Sequence, residues 1–365
     1  MKKALIIVLV IFVLLALAVG GVFLYAKSWY ENGLKAVNES GKGKDVEIVI
    51  EKGTGTVEIA NLLEKNKVIK NADVFKIYVK LNKFNNLQAG KYVFNTKKDN
   101  VKSIVEKISK GDVKDDSITI TFIEGKTFCD YAQLIAKETN NSLEDVFELV
   151  KNEEYIDSLI EKYWFITDEI KNEDIYYSLE GYLKPDTYTF ENKDVSIEYI
   201  FSYILNYTDK LLTPYKEQIE NCGYSVHEIL SLASVIEKEA TNVDDMPGIS
   251  GVFYNRLNSN MPLGSDVTTY YAFQINLSES DLTSSQINTE NPYNTRCSNM
   301  NGKLPVGPIC NPSKDAIEAA LNPIQSDYYY FVSDKTGKTY FTKNYSEHKK
   351  ITKELKDSGM WYTYE

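Results

Sequence analysis

The feature that most limits the fold of this chain is an uncharged run at positions 4–25, ALIIVLVIFVLLALAVGGVFLY. An apolar helix of about 20 residues can cross the hydrocarbon core of a bilayer, which is about 30 Å thick. Lys2 and Lys3 precede the run, and basic residues favour the cytoplasmic side of a membrane. The sequence therefore predicts a cytoplasmic tail at 1–3, a single-pass anchor in the cell membrane at 4–25, and the remaining chain outside the cell.

A cleaved signal peptide is the alternative for this segment. Ala16-Leu17-Ala18 has the small-residue pattern of a cleavage site and follows an apolar stretch of suitable length. Cleavage there would leave a mature N-terminus at Val19. The apolar residues continue through 22–24, however, and this continuation favours an anchor that stays in the mature protein.

Charge and composition argue against several classes of function. The 41 basic and 52 acidic residues give a net charge of −11, whereas nucleic-acid binding needs clustered positive charge. The chain has no Walker or Rossmann glycine pattern, and its two histidines and four cysteines lack zinc-ligand spacing. We therefore expect no nucleic-acid partner, no metal and no cofactor. The cysteines are expected to be buried thiols, with disulfides left open as the alternative.

The pattern after the anchor predicts an α+β protein in two parts. Residues 26–44 are polar and are predicted to be a linker. Residues 45–112 contain two strand patterns and three helix patterns, the last ended by Gly111, and predict a small α+β module. Residues 113–365 predict a larger α+β domain with several helices and a C-terminal hairpin around DKTGK.

One predicted helix, LASVIEKEA at 232–240, carries two acids beside an apolar face. On a wheel of 100° per residue with Ile229 at zero, Glu237 falls near +80° and Glu239 near −80°. Because residues two apart on a helix do not face each other, these acids cannot form the carboxyl pair of a glycosidase. They are either the solvated end of the helix, or one of them is a carboxyl whose pKa is raised by apolar surroundings and which can donate a proton.

Motifs on both sides of this helix occur in a recognisable order. SLEGYLKPDTYTF lies upstream, and GISGVFYNRL, MPLGSDVTTYYA, NPYNTR, GKLPVGPICNP and YYYFVSDKTGKTYFT follow downstream. This series closely resembles the MltG/YceG-like family of bacterial endolytic murein transglycosylases over about 45–350. The resemblance implies a lysin-motif-like module at 45–112 and a catalytic domain at 113–365.

The resemblance also implies an activity. Such an enzyme cleaves the β-1,4 bond between N-acetylmuramic acid (MurNAc) and N-acetylglucosamine (GlcNAc) in nascent peptidoglycan strands. It leaves 1,6-anhydro-MurNAc ends and so limits strand length during wall synthesis. One carboxyl group suffices, because the 6-hydroxyl of the sugar attacks C1 and no water acts as nucleophile. The family motif places that carboxyl at Glu237, with Glu239 as the alternative.

The same motifs suggest five substrate-binding residues, each with a structural alternative. Asp266 could orient the substrate or cap a helix, and Asn294 could bind an N-acetyl group or stabilise a turn. Tyr293 could stack on a sugar or belong to the core. Arg256 could pair with an acid in the cleft or at the surface, and Glu180 could be a second cleft acid or stabilise a turn.

The expected partners follow from the resemblance as well. They are peptidoglycan glycan strands and the penicillin-binding synthases of elongation or division. The alternative function is a non-catalytic scaffold of the wall-synthesis machinery, which would hold glycan through the lysin-motif-like module.

Overall fold

The chain divides into two units, Met1–Asp115 and Asp116–Glu365, in a computed structural model that describes residues 2–276 and 281–361. Both units combine helices with short antiparallel sheets, so the predicted α+β class is confirmed.

Unit 1 carries a two-stranded sheet and three helices after its N-terminal helix. Strand β1 (Asp45–Ile50) pairs antiparallel with β2 (Gly90–Asn95), with Ile48 opposite Tyr92. The helices are α2 (Thr56–Lys65), α3 (Ala72–Leu81) and α4 (Val101–Lys110). Alternate residues of each strand face a core whose fully buried members include Ile59, Leu63, Phe75, Phe94 and Ile104.

Helix α4 ends where the sequence predicts. Its last turn is followed by Gly111, whose φ of 68° places it in the left-handed region that glycine adopts without strain. The strands and helices predicted between 45 and 112 are therefore present in their predicted order.

The N-terminal helix α1 (Lys2–Leu34) is longer than the predicted anchor. Its segment Leu5–Leu34 is long and apolar enough to cross a membrane, with a mean hydropathy of 3.3 over its most apolar 18 residues. The first nine residues of the predicted linker at 26–44 continue this helix. No proline interrupts them, and Gly33 packs so close to Val74 that an added Cβ would lie 2.6 Å from a methyl carbon.

Unit 2 contains two two-stranded antiparallel sheets among eleven α-helices of the described ranges. Strand β3 (Ile118–Phe122) pairs with β4 (Asp186–Phe190), and β5 (Tyr330–Ser333) pairs with β6 (Thr339–Thr342), which confirms the predicted C-terminal hairpin. The helices are α5 (Phe128–Glu138), α6 (Leu143–Leu149), α7 (Glu153–Lys162), α8 (Ile197–Leu212), α9 (Lys216–Asn221), α10 (Val226–Glu239), α11 (Met246–Asn258), α12 (Asp266–Ala272), α13 (Ser284–Asn288), α14 (Lys314–Leu321) and α15 (Tyr345–Asp357).

Helix α10 lies at the centre of unit 2. It begins at a capping box in which Ser225 and Glu228 satisfy each other's backbone amides. From Val226 to Ile236 every residue except Glu228 is buried, and α10 packs against α11, α12 and α14. A helix that is buried on all sides becomes accessible only at its end, so its last turn is the place where polar side chains emerge.

The cysteines fit the expectation of buried thiols only in part. Cys297 and Cys310 are buried, whereas Cys129 and Cys222 are partly accessible, and all four are free thiols. Cys129 lies in the first turn of α5 and Cys222 directly follows α9, so both are close to the surface ends of their helices.

The close approach of α11 to the segment after α14 gives a stability prediction. A Cβ added at Gly251 would lie 2.2 Å from the carbonyl oxygen of Ile324, whereas one at Gly248 would lie 2.7 Å from the Phe341 ring, which can move. Alanine adds the same helix propensity at both sites. We therefore expect Gly251→Ala to be less stable than Gly248→Ala by about 1–3 kcal/mol. Thermal unfolding of the full chain in detergent measures this difference, and equal stability would contradict it.

Candidate active site

A cleft of about 1050 Å³ opens in unit 2 where α10 ends. Its walls come from α11, from the turn before α12, from the β5–β6 hairpin and from α15. The lining residues that matter for chemistry are Glu239, Arg256, Ser265, Asp266, Tyr330 and His348. A concave site of this size can hold several sugar rings of a polymer.

The two acids of α10 leave the helix on opposite sides, as the helical wheel predicts. Glu239 lines the cleft, whereas Glu237 is not among the residues that line it. Both side chains are partly buried. The structure therefore separates the two candidates by their surroundings, which the sequence pattern alone could not do.

Glu237, near the end of α10, is hydrogen-bonded to the start of α14. Its Oε2 accepts hydrogen bonds from the amide of Ser313 at 3.0 Å and from the Ser313 hydroxyl at 2.5 Å. Ser313 is the N-cap of α14, and its Oγ accepts the amide of Ala316 at 3.1 Å. An acidic side chain beside a helix N-terminus is a common arrangement, and these contacts tie Glu237 to the start of α14.

Glu239 is held by a single hydroxyl at the edge of the cleft. Ser265 Oγ donates to Glu239 Oε1 at 2.5 Å. Burial raises the pKa of the Glu239 carboxyl, the Ser265 hydrogen bond opposes that rise, and the negative charge of Asp266 adds to it. Arg256 and Arg296 also lower this pKa, but burial outweighs them. A carboxyl with a raised pKa in a cleft is suited to proton transfer near neutral pH.

Arg256 supplies a fixed positive charge to the same cleft. Its Nε donates to the carbonyl of Tyr329 at 2.7 Å and its Nη1 to that of Leu263 at 2.6 Å. The guanidinium lies 4.9 Å from the centroid of the Tyr330 ring. Burial lowers the pKa of Arg256, yet an arginine in a protein stays protonated, so the charge is permanent.

Asp266 lies at the cleft with a partner already in place. It is the first residue of α12 and forms an ion pair with Arg296. The predicted position at the cleft is therefore found, and the carboxylate is oriented by a neighbouring cation.

The other three predicted substrate-binding residues lie behind the cleft wall. Glu180, Tyr293 and Asn294 are 1%, 0% and 0% exposed. None of them is among the residues that line the cleft. A direct substrate contact for any of them stays a prediction.

Each of these buried residues has its own partners. Glu180 accepts hydrogen bonds from the amide of Phe128 at 2.8 Å and the hydroxyl of Tyr271 at 3.0 Å, and burial raises its pKa to about 8. The Tyr293 ring packs 4.9 Å from that of Tyr271. Asn294 Oδ1 accepts the hydroxyl of Thr269 at 2.7 Å, with Nδ2 donating to backbone carbonyls of 286–289.

Three of these six cleft residues were not among the candidates taken from the sequence motifs. They are Ser265, Tyr330 and His348. Ser265 immediately precedes Asp266 and is the N-cap residue of α12. Serine is a preferred N-cap residue, so the sequence could have indicated this position. The His348 ring stacks on Tyr330 with centroids 5.5 Å apart, and burial lowers its pKa. Over the described ranges, no group of three or more His, Cys, Asp or Glu side chains could hold a metal ion.

Comparisons with known proteins place this chain among wall-processing enzymes. It is 36% identical over 335 residues to the endolytic murein transglycosylase of Bacillus subtilis (strain 168), an alignment that covers 92% of this chain and 90% of that protein. It is 32% identical over 373 residues to the endolytic murein transglycosylase of Streptococcus pneumoniae serotype 2 (strain D39 / NCTC 7466), with 98% of this chain and 66% of that protein covered. The chain thus spans just under two thirds of the streptococcal protein.

A solved structure agrees with these relatives. The 2.6 Å crystal structure of a YceG-like protein from Listeria monocytogenes superposes with a TM-score of 0.60 at 37% identity, and it covers 85% of this chain and 100% of that one. The sequence model of the YceG-like family matches residues 48–354, which is most of the chain. On this evidence, the protein belongs to the YceG-like family.

Proposed function

We propose that this protein is an endolytic murein transglycosylase, a lyase that cuts peptidoglycan glycan strands internally. The relatives in Bacillus subtilis and Streptococcus pneumoniae have this name, and their alignments cover nearly the whole of this chain. The observation in this structure that carries the proposal is the Glu239 carboxyl, whose pKa burial raises, at the edge of a cleft beside Arg256. Such a group can give up a proton and take one back during a single turnover.

The reaction needs two proton transfers. Glu239 protonates the glycosidic oxygen between MurNAc and GlcNAc, and the bond from MurNAc C1 to that oxygen breaks. The MurNAc 6-hydroxyl oxygen then bonds to C1, and its proton passes to the Glu239 carboxylate. The products are a GlcNAc end with a free 4-hydroxyl and a 1,6-anhydro-MurNAc end, and the carboxyl is again protonated.

Two opposing influences suit Glu239 to both steps. Burial favours the neutral acid that the first step needs. Arg256 and Arg296 favour the carboxylate that the second step needs. An acid-base group works best when its pKa lies near the working pH, which such a balance promotes.

The surroundings of the two acids decide our preference between them. Glu237 is engaged by both polar groups of Ser313 and lies outside the cleft lining, whereas Glu239 faces the cleft. We therefore propose Glu239 as the acid-base group. Glu237, which the family motif indicates, stays a prediction that the next experiment tests against it.

The lining of the cleft suggests how glycan is held. Tyr330 lines the cleft as a candidate aromatic contact for a sugar, with Arg256 and His348 packed against its ring. Asp266, oriented by Arg296, is the candidate acceptor for sugar hydroxyls or for developing positive charge at C1.

Exchanging each glutamate for glutamine separates the two acids. Glutamine keeps the size of the side chain but cannot donate or accept the catalytic proton. We expect Glu239→Gln to lower activity about 100- to 10,000-fold. Glu237→Gln should stay within a few-fold of wild type, with some loss of stability at α14. The measurement is the release of anhydro-muropeptides from uncrosslinked glycan, followed by mass spectrometry, with circular dichroism to confirm folding.

The reverse outcome would identify Glu237. If folded Glu237→Gln is inactive and Glu239→Gln is active, the motif-based prediction is right and our proposal is wrong. If the wild-type protein binds glycan but releases no anhydro ends, the non-catalytic scaffold describes this protein instead.

We also propose that α1 is an uncleaved anchor, with its N-terminus in the cytoplasm and residues 26–365 outside the cell. Its apolar segment is long enough to span a bilayer, and the lysines at 2 and 3 lie on its short side. Protease added to intact protoplasts should remove the bulk of the chain and leave a short membrane stub. A mature N-terminus at Val19, or protection of the whole chain, would contradict this topology.

We propose that residues 45–112, which lie in unit 1, bind glycan weakly in the manner of a lysin motif. The family resemblance and the β-α-α-β-α order support this assignment. Deleting the segment should weaken cleavage of polymeric glycan more than cleavage of short fragments. Equal loss on both substrates, with unit 2 still folded, would count against it. The resemblance also suggests penicillin-binding synthases as partners and control of strand length as the role in the cell.

A further inference from the structure

We propose that Ser265 is a positioning residue that holds the Glu239 carboxyl in the orientation required for proton transfer. The inference rests on the proposed function of Glu239 and assigns a further residue to the same site. Ser265 Oγ donates to Glu239 Oε1 at 2.5 Å, and Ser265 itself is 3% exposed. Because one carboxyl must act as acid and then as base, it has to keep one orientation through both steps.

The backbone of Ser265 is fixed by two buried threonines. Its amide donates to Thr295 Oγ1 at 3.2 Å, and its carbonyl accepts the hydroxyl of Thr268 at 2.7 Å. The hydroxyls of Thr268 and Thr295 lie 2.8 Å apart, and both residues are 0% exposed. Since Thr268 gives its proton to Ser265, the Thr295 hydroxyl donates to Thr268. Ser265 therefore cannot move without breaking a buried set of hydrogen bonds, and each broken bond is unfavourable.

The chain before Ser265 is fixed as well. Gly264 has a φ of 63°, in the left-handed region that glycine favours, and its amide donates to the carbonyl of Thr295 at 2.9 Å. Asn294 holds α12 from the same segment through the hydroxyl of Thr269. The motifs PLGSD and NPYNTR thus meet in one buried hydrogen-bond network, and this network places the Ser265 hydroxyl beside Glu239.

This hydrogen bond gives the two carboxyl oxygens of Glu239 different roles. The Ser265 hydroxyl occupies Oε1 as a donor, so the proton for the glycosidic oxygen resides on Oε2. A hydroxyl that donates to a carboxylate stabilises its charged form. Ser265 therefore fixes the direction of Glu239 and also moderates the effect of burial on its pKa.

Other charged groups face the same carboxyl. They are Asp266 from α12, Arg256 from α11 and Arg296 from the segment after Asn294. Lys238, Asp281 and His348 line the same cleft. These groups stay in place in a Ser265 variant. The change that such a variant makes to the pH profile can therefore be assigned to the lost hydrogen bond.

The experiment compares Ser265→Ala, Ser265→Thr and Ser313→Ala in the full-length protein. Ser313→Ala is the matched control, because it removes a hydroxyl at the same 2.5 Å distance from Glu237. Anhydro-muropeptide release is measured against pH and glycan concentration. For Ser265→Ala we expect kcat to fall about 10- to 100-fold, the range for a lost hydrogen bond to a charged group, with little change in KM.

The pH profile gives a readout that a merely structural role would not move. Glu239 must be protonated to start the reaction, so its pKa sets the alkaline limb of kcat/KM. Loss of the Ser265 donor raises that pKa, and the alkaline limb of Ser265→Ala should move to higher pH. Ser265→Thr keeps the hydroxyl and should retain most of the activity and the wild-type profile. Ser313→Ala should keep the wild-type profile.

A wild-type rate and profile for Ser265→Ala, with Glu239→Gln inactive, would overturn the inference and leave the proposed function standing. An active Glu239→Gln would overturn the proposed function itself. If Ser265→Ala does not fold, Ser265→Cys keeps nearly the same volume with a weak donor and should show the same shift. Wild-type behaviour of Ser265→Cys would then overturn the inference.

Discussion

The arrangement of unit 2 depends on the complete burial of α10. Because α11, α12 and α14 pack against the helix and every residue from Ile229 to Ile236 is buried, polar side chains beyond the first turn emerge only in the last turn. Two glutamates emerge there on opposite sides, and the packing of neighbouring elements decides what each one meets. On one side α14 presents its N-cap, and on the other side the cleft opens. One helix end thus presents two acids, one hydrogen-bonded to the start of α14 and one facing the cleft.

Opposing electrostatic influences meet at Glu239. Burial favours its neutral form, whereas a hydroxyl and two arginines favour its charged form. A site that uses one carboxyl first as acid and then as base needs such a balance. A carboxyl with a very high pKa would rarely be ionised to act as a base, and one with a very low pKa would rarely be protonated to act as an acid. The supporting hydrogen bonds are buried, so they act in an environment where water competes little.

Much of the fold could be predicted from local sequence signals. The cap at Gly111, the C-terminal hairpin and the opposite placement of Glu237 and Glu239 follow from residue type and periodicity. The choice between the two acids could not be predicted in this way. Their decisive partners lie far away in sequence, with Ser313 76 residues from Glu237 and Ser265 26 residues from Glu239. The family motifs make Glu180, Tyr293 and Asn294 candidates for substrate contact, but the motifs do not indicate how deeply tertiary packing buries these three side chains. The length of α1 was underestimated because the polar residues after 25 contain no residue that ends a helix before Gly33.

The most direct test of Glu239 as the acid-base group is a crystal structure of the full chain carrying Glu239→Gln, bound to a short glycan with alternating MurNAc and GlcNAc units. If Glu239 protonates the glycosidic oxygen, we expect that oxygen to lie within hydrogen-bond reach, about 2.6–3.2 Å, of the side chain at position 239. The MurNAc ring should then occupy the cleft between α12 and the β5–β6 hairpin. A glycan whose scissile oxygen lies instead beside Glu237, on the α14 side of the helix, would contradict the assignment of Glu239.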